Sequence, residues 1–185
     1  MADEAKRSAD NAVETAELRL RAYLGVVDIG LQCLVCTTVD PTKDIVIQPE
    51  HILDNLIIMH FHNGGGTPAY NVRARDTFWE IGFGQRLPKE FNYPDGPLSD
   101  LFPIGSGTVN QGQTVPTQLV LDPQMISLIA RVEKRKVVAF YYGHVDYVDV
   151  FGKQRSTPYC FEYLPNSPSD PFANCPEHNT PARGQ

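Results

Sequence analysis

The spacing of apolar residues changes period once along the chain. Over residues 2–22 (ADEAKRSADNAVETAELRLRA), Ala2, Ala5, Ala9, Ala12, Ala16 and Leu20 recur at intervals of three and four, with no glycine or proline between them. That period predicts a helix with coiled-coil character. Asp3/Arg7, Lys6/Asp10 and Glu17/Arg21 stand at i,i+4 and add small local support. Alanine buries little area, so the stripe suits close contact between helices better than anchorage on a core. Residues 1–22 therefore read as an N-terminal stalk helix and a candidate homo-oligomer contact.

From Tyr23 the period becomes two and β-branched residues dominate. YLGVVDIGLQCLVCTTV, residues 23–39, predicts a first strand, broken near Gly30 if it forms two pieces; residues 40–50 carry turn chemistry and a short edge strand. NLIIMHFH, residues 55–62, predicts a strand with Ile57, Met59 and Phe61 on one face and Leu56, Ile58, His60 and His62 on the other. Asn63–Gly66 and Pro68 follow directly, then a strand alternating Tyr70, Val72 and Ala74 against Asn71, Arg73 and Arg75. This predicts a hairpin-like link in which the glycines supply positive φ. A phosphate-cradling loop would need a helix start after the glycines, and the pattern offers none.

Residues 82–117 form a long Gly/Pro-rich connection with a brief strand at Thr108–Val109, and Gln118–Leu121 is a short strand. Asp122–Pro123 has the form of an N-cap followed by proline at the first helical position, opening a helix to about Glu133 that buries Ile126, Ile129 and Val132. Residues 136–164 predict two long strands around a turn at Phe151–Arg155, with Gly143 a candidate bulge. Past Pro165 the chain turns polar and proline-rich. The domain organisation is thus a stalk helix (1–22), a β domain (23–165) and a C-terminal tail (166–185). The fold class is mainly β: an immunoglobulin-like β-sandwich with one short helix, or alternatively a partly open β-barrel.

A length of 185 residues suits one domain with appendages, and 15 prolines with 14 glycines favour a turn-rich β fold. A net charge of −6 argues against general nucleic-acid binding, which needs a dense cationic surface. The basic run Arg131–Lys136 reads as a solvated helix end. No run of ~18 apolar residues and no signal-peptide pattern is present, so the chain as given reads as soluble.

Candidate chemistry is sparse. His60 and His62 share a strand face and could share a metal, with His144 or Cys175/His178 the available third ligands; a solvated face beside Asn71, Arg73 and Arg75 accounts for them equally well. Cys33 and Cys36 have C-x-x-C spacing inside an apolar run, where residues three apart point to opposite faces, and read as two unlinked cysteines. Cys160 and Cys175 join a strand to a poorly anchored tail: a disulfide there is one reading, a zinc half-site with His178 the other. Asp146, Asp149 and Glu162 are candidates for an acid pair or weak Ca²⁺ site, against a solvated charged strand. No G-x-S-x-G, H-E-x-x-H or P-loop occurs, and no catalytic residue or cofactor is predicted.

AELRLRAYLGV at 16–26, HNGGGTPAYNVRAR at 62–75, YYGHVDYVDVFGKQRSTPYCFEY at 141–163 and FANCPEHN at 172–179 together resemble a group of uncharacterised bacterial membrane-anchored proteins. Those proteins have a transmembrane helix, an Ala-rich stalk and a C-terminal β domain bearing an N-x-G-x-TPAY-x-V segment. The alanine stripe, the missing catalytic constellation and the long 82–117 connection point to a non-catalytic interaction or scaffold module; the resemblance carries no activity of its own and implies a β domain outside the cytoplasmic membrane, on its periplasmic face, with cytoplasmic placement the alternative. Membrane association would then run through a segment absent from this chain, and the partner would be another protein. It also makes Gly64, Gly65, Gly66, Thr67, Pro68 and Tyr70 a structural turn, the proline blocking an edge hydrogen bond and the tyrosine entering the core. A metal- or redox-linked accessory role for His60, His62, Cys175 and His178 is the alternative function, and a hydrolase using the three acids a third.

Overall fold

The computed structural model describes residues 2–33, 55–85, 87, 107–121, 123–165, 167, 171–176 and 179. In chain order its elements are α1 (Ala2–Leu20), β1 (Leu24–Cys33), β2 (Asn55–Asn63), β3 (Tyr70–Gly82), β4 (Thr114–Val120), α2 (Pro123–Glu133), β5 (Val137–Val148), β6 (Gln154–Tyr163) and β7 (Phe172–Asn174). Cys36, the 40–50 segment and most of the 82–117 connection lie outside the described residues.

The strands form two antiparallel sheets, β1-β2-β4 and β3-β5-β6-β7. Their alternating inward positions make one core, with Ile57, Met59 and Phe61 from β2 against Tyr141, Val145, Tyr159 and Phe161 from β5 and β6. This is a β-sandwich. No named strand of either sheet is hydrogen-bonded into the other, so the sheets do not close into the alternative barrel. Helix α2 closes one end by burying Leu128, Ile129 and Val132, while Ile126 is half-buried.

Several local expectations change. β1 runs unbroken through Gly30, and its irregularity lies at Val26/Asp28 instead. β2 and β3 belong to different sheets, so the glycine segment is a crossover between sheets and not a hairpin. Gly143 carries no bulge: it pairs in register with Asp76 on β3 and Tyr159 on β6. Tyr70 does not enter the core; it is 39% exposed, and Ala69 is buried in its place. The cause is a register shift between Tyr70 and Arg73, with Asn71 at φ 51°, which rotates the first residue of β3 outward. Thr108–Val109 contributes an isolated bridge from Val109 to Ala69, and part of the segment read as tail supplies β7, paired with Phe161–Tyr163.

The outer face of β3-β5-β6 carries a second, smaller apolar cluster. Phe140, Tyr142, Cys160 and Cys175 are buried there, with Trp79, Ile81 and Leu87 packed against them.

Candidate functional site

The segment Asn63–Thr67 is built around one buried side chain. Asn63 has no exposed surface. Its Oδ1 accepts from the N–H of Tyr23 at 3.1 Å and of Gly65 at 3.0 Å, and its Nδ2 donates to the carbonyls of Thr67 at 2.8 Å and Val109 at 3.0 Å. All four bonds go to backbone, so one amide ties the α1–β1 junction to the crossover and to the approach to β4. Gly64 N–H donates to Tyr23 O at 2.9 Å, Gly66 N–H to Arg21 O at 3.2 Å, and Tyr147 Oη–H to Ala22 O at 3.2 Å. A Cβ on Gly65 would lie 2.3 Å from Arg21 O and 2.5 Å from Tyr23 N. Gly65 is required because two backbones meet there; none of Gly64, Gly65 and Gly66 has positive φ. The NGGG stretch is a socket for the base of the stalk.

Above the socket α1 stands clear. Every residue from Asp3 to Leu20 is exposed except the half-buried Glu17, which pairs with Lys153 in the β5–β6 turn and not with Arg21. Arg21 instead lies over the Tyr23 ring, 4.7 Å from its centroid, and donates to its hydroxyl. Val13, Leu18 and Leu20 are 59%, 55% and 49% exposed. A helix of 19 residues spans about 28 Å.

The predicted metal ligands are not brought together. His60 and His62 do share the outer face of β2, but their flanking strands are β1 and β4, not β3 with Asn71, Arg73 and Arg75. His60 Nδ1 lies 3.2 Å from Asp28 Oδ2, and His62 Nδ1 lies 3.0 Å from Thr114 Oγ1. His144 belongs to the other sheet, Cys175 is bonded to Cys160, and His178 is outside the described residues. Among the described residues no three His, Cys, Asp or Glu side chains form a group able to hold a metal.

The three acids also stay apart. Asp146 pairs with Ser156 and Glu162 with Phe140, six positions further along β6, or about 20 Å. Burial acts to raise the Asp146 carboxyl, but hydrogen bonds from His144 and Ser156 and the charges of His144 and Arg75 outweigh it and leave it below its ordinary value. Asp149 is sealed in the turn, where Oδ1 accepts from the N–H groups of Phe151 and Lys153, each at 3.0 Å, and Oδ2 from Arg155 Nε at 2.9 Å. Asp146 and Asp149 are each occupied locally.

Cys160 and Cys175 form a disulfide with Cα atoms 5.4 Å apart. Asn179 completes the clasp. Its Oδ1 accepts from Cys160 N–H at 2.7 Å, and its Nδ2 donates to Cys160 O at 2.9 Å and Cys175 O at 3.0 Å, so an amide stands where a neighbouring strand would.

One half-buried acid escaped the sequence reading. Asp76 follows Val72 and Ala74 on the inward face of β3, and Tyr159 Oη–H donates to its Oδ2 at 3.2 Å; Tyr141 also hydrogen-bonds to it. Burial raises the Asp76 carboxyl, partly offset by these two bonds, and raises both phenols well above their usual value. The available signal was an acid at an inward position of an alternating strand.

A cleft of about 430 Å³ opens on the flank of the sandwich between β1 and β6. Tyr23, Leu24, Gly25, Val26 and Val27 line one wall, Thr157, Pro158 and Tyr159 the other, with His62, Phe161, Asn174 and Asn179 among the rest.

No protein-family model matches this chain, and neither the curated proteins nor the solved structures contain a match to it. Among the described residues no helix is long and apolar enough to cross a membrane.

Proposed function

We propose that this protein is a non-catalytic interaction or scaffold module, a β-sandwich presented on a helical stalk that pairs with the stalk of a second copy. The observation that carries the reading is the exposure of α1 along its length above a base fixed by Asn63 and Gly65. A lone helix of this length gains little from its own hydrogen bonds, since most helical stability in proteins comes from burying one face. The Ala5, Ala9, Ala12 and Ala16 stripe lets a second helix approach closely, and Leu20 closes it near the domain.

The immunoglobulin-like assignment belongs to the same reading. Orders β1-β2-β4 and β3-β5-β6 parallel the A-B-E and C-F-G strands of that sandwich. The Cys160–Cys175 bond favours an oxidising compartment, in keeping with an extracytoplasmic domain tied to a membrane by a segment outside this sequence.

Sedimentation velocity on the full chain tests the proposal. The expected result is an oligomer that becomes monomeric in Ala9→Asp/Ala16→Asp, because like charges then face each other across the seam. A wild-type monomer at tens of micromolar overturns stalk pairing.

A further inference from the structure

The flank cleft runs along backbone edges and not across a sheet face. Side chains on a face recur every second residue, yet five consecutive residues of the chain, Tyr23–Val27, line one wall and three, Thr157–Tyr159, line the other. Consecutive lining residues mean that main-chain groups border the space. β1 pairs with β2 on one side and with no other described strand.

The two edges differ in what they can offer. On β6, Pro158 has no N–H, while the N–H and C=O of Cys160 are taken by Asn179 and by Cys175 N–H. On β1, Gly25 leaves open space, with no atom within 4 Å of an added Cβ, as expected where another backbone comes close. Beside it Val27 is 59% exposed. The cleft's lining includes no Lys, Arg, Asp or Glu, in a chain whose composition is 21% charged. Its occupant is therefore uncharged over the part that enters, and offers backbone groups to β1 and apolar side chains to Val26, Val27, Pro158 and Phe161.

We infer that the β1 edge at Gly25–Val27 is a docking site for a short, extended, uncharged peptide segment of a protein partner, held by strand addition. This rests on the reading of the protein as an interaction module and names the chemistry of what it takes. The β1 irregularity at Val26/Asp28 limits the added pairing to a few residues, so affinity depends on the side chains that fill the cleft.

The test is selection of a displayed random octapeptide library on the full-length wild-type protein, followed by fluorescence polarisation of the recovered peptides. The inference expects sequences depleted in Lys, Arg, Asp and Glu, with binding reduced at least tenfold in Gly25→Trp, which fills the cleft. Val27→Glu places a charge there without touching the core and should give the same loss, with an unchanged thermal midpoint as its folding control. No enrichment, charged consensus sequences, or peptides that bind both folded variants like wild type would overturn it. Sedimentation of the same variants separates the two readings: intact oligomers without peptide binding remove only the docking site, whereas a wild-type monomer that still binds peptide removes only stalk pairing.

Discussion

Tyr159 reaches Asp76 over the top of Gly143. The three residues occupy one row across β3, β5 and β6, and the hydroxyl–carboxylate bond of 3.2 Å exists because the middle residue has no side chain. A Cβ on Gly143 would fall 2.0 Å from Arg75 O and 2.8 Å from both Asp76 Cα and Tyr159 Oη. Gly143→Ala is expected to cost about 3 kcal/mol by overpacking, read by urea denaturation.

The same carboxyl sets a pH dependence. Burial holds Asp76 above its unfolded value of 3.8, so the folded state binds this proton more tightly. Its stabilisation is full below that value and is lost as pH rises through the folded value. Asp76→Asn keeps an acceptor for Tyr159 and removes the titration. The stability of this variant relative to wild type should increase with pH above 4, and a difference independent of pH would contradict the assignment. Asp146, lowered in the folded state, acts with the opposite sign: its contribution is present above 3.8 and is lost as pH falls through its folded value.

Asn63→Ala leaves four backbone groups without the amide that joins them, including the N–H of Tyr23 at the base of the stalk. A loss of roughly 3 kcal/mol is expected. Limited trypsin digestion should then cut faster at Arg21 than in wild type.

Removing Asp149 strips the acceptor from two turn N–H groups and from Arg155, whose partner is fully buried. Asp149→Ala should cost about 3 kcal/mol in equilibrium unfolding. Glu162→Ala, on a carboxylate outside any such network, should be nearly silent.

Cys160→Ser/Cys175→Ser opens a loop with a sequence separation of 15 residues. About 3 kcal/mol is expected on the loop-entropy account. Hydrogen exchange should localise the loosening to β7 and Cys160.

What the sequence made legible follows from how local each signal is. The alternation of Ile57, Met59 and Phe61 and the helix start at Pro123 depend on neighbours a few residues away, and both elements stand where the pattern put them. The partners of β2 do not. Glycines after a strand fit a hairpin as well as a crossover, and only the pairing of β2 with β4 decides between them, across a sequence separation that no local pattern encodes. Gly65 and Gly143 fail for one shared reason. A glycine kept for a close approach has the same sequence signature as one kept for φ or for a bulge, and the approaching groups, Arg21 and Tyr159, lie 44 and 16 residues away. Asp76 was hidden because alternation marks an inward position without naming the tyrosines that make it tolerable.

The Asn63 socket also determines where tension would travel. Pull on the first residues of α1 arrives at Tyr23, where the amide of Asn63 and the backbone of Gly64 meet it before β1 begins. Load that passes this point runs lengthwise into β1, whose ladder to β2 extends from Leu24–Asn63 to Cys33–Asn55 and resists in shear. A tether at that end therefore strains the sandwich along a strand instead of peeling one bond at a time, after the Glu17–Lys153 pair and the bonds at Arg21, Ala22 and Tyr23 have been loaded in turn.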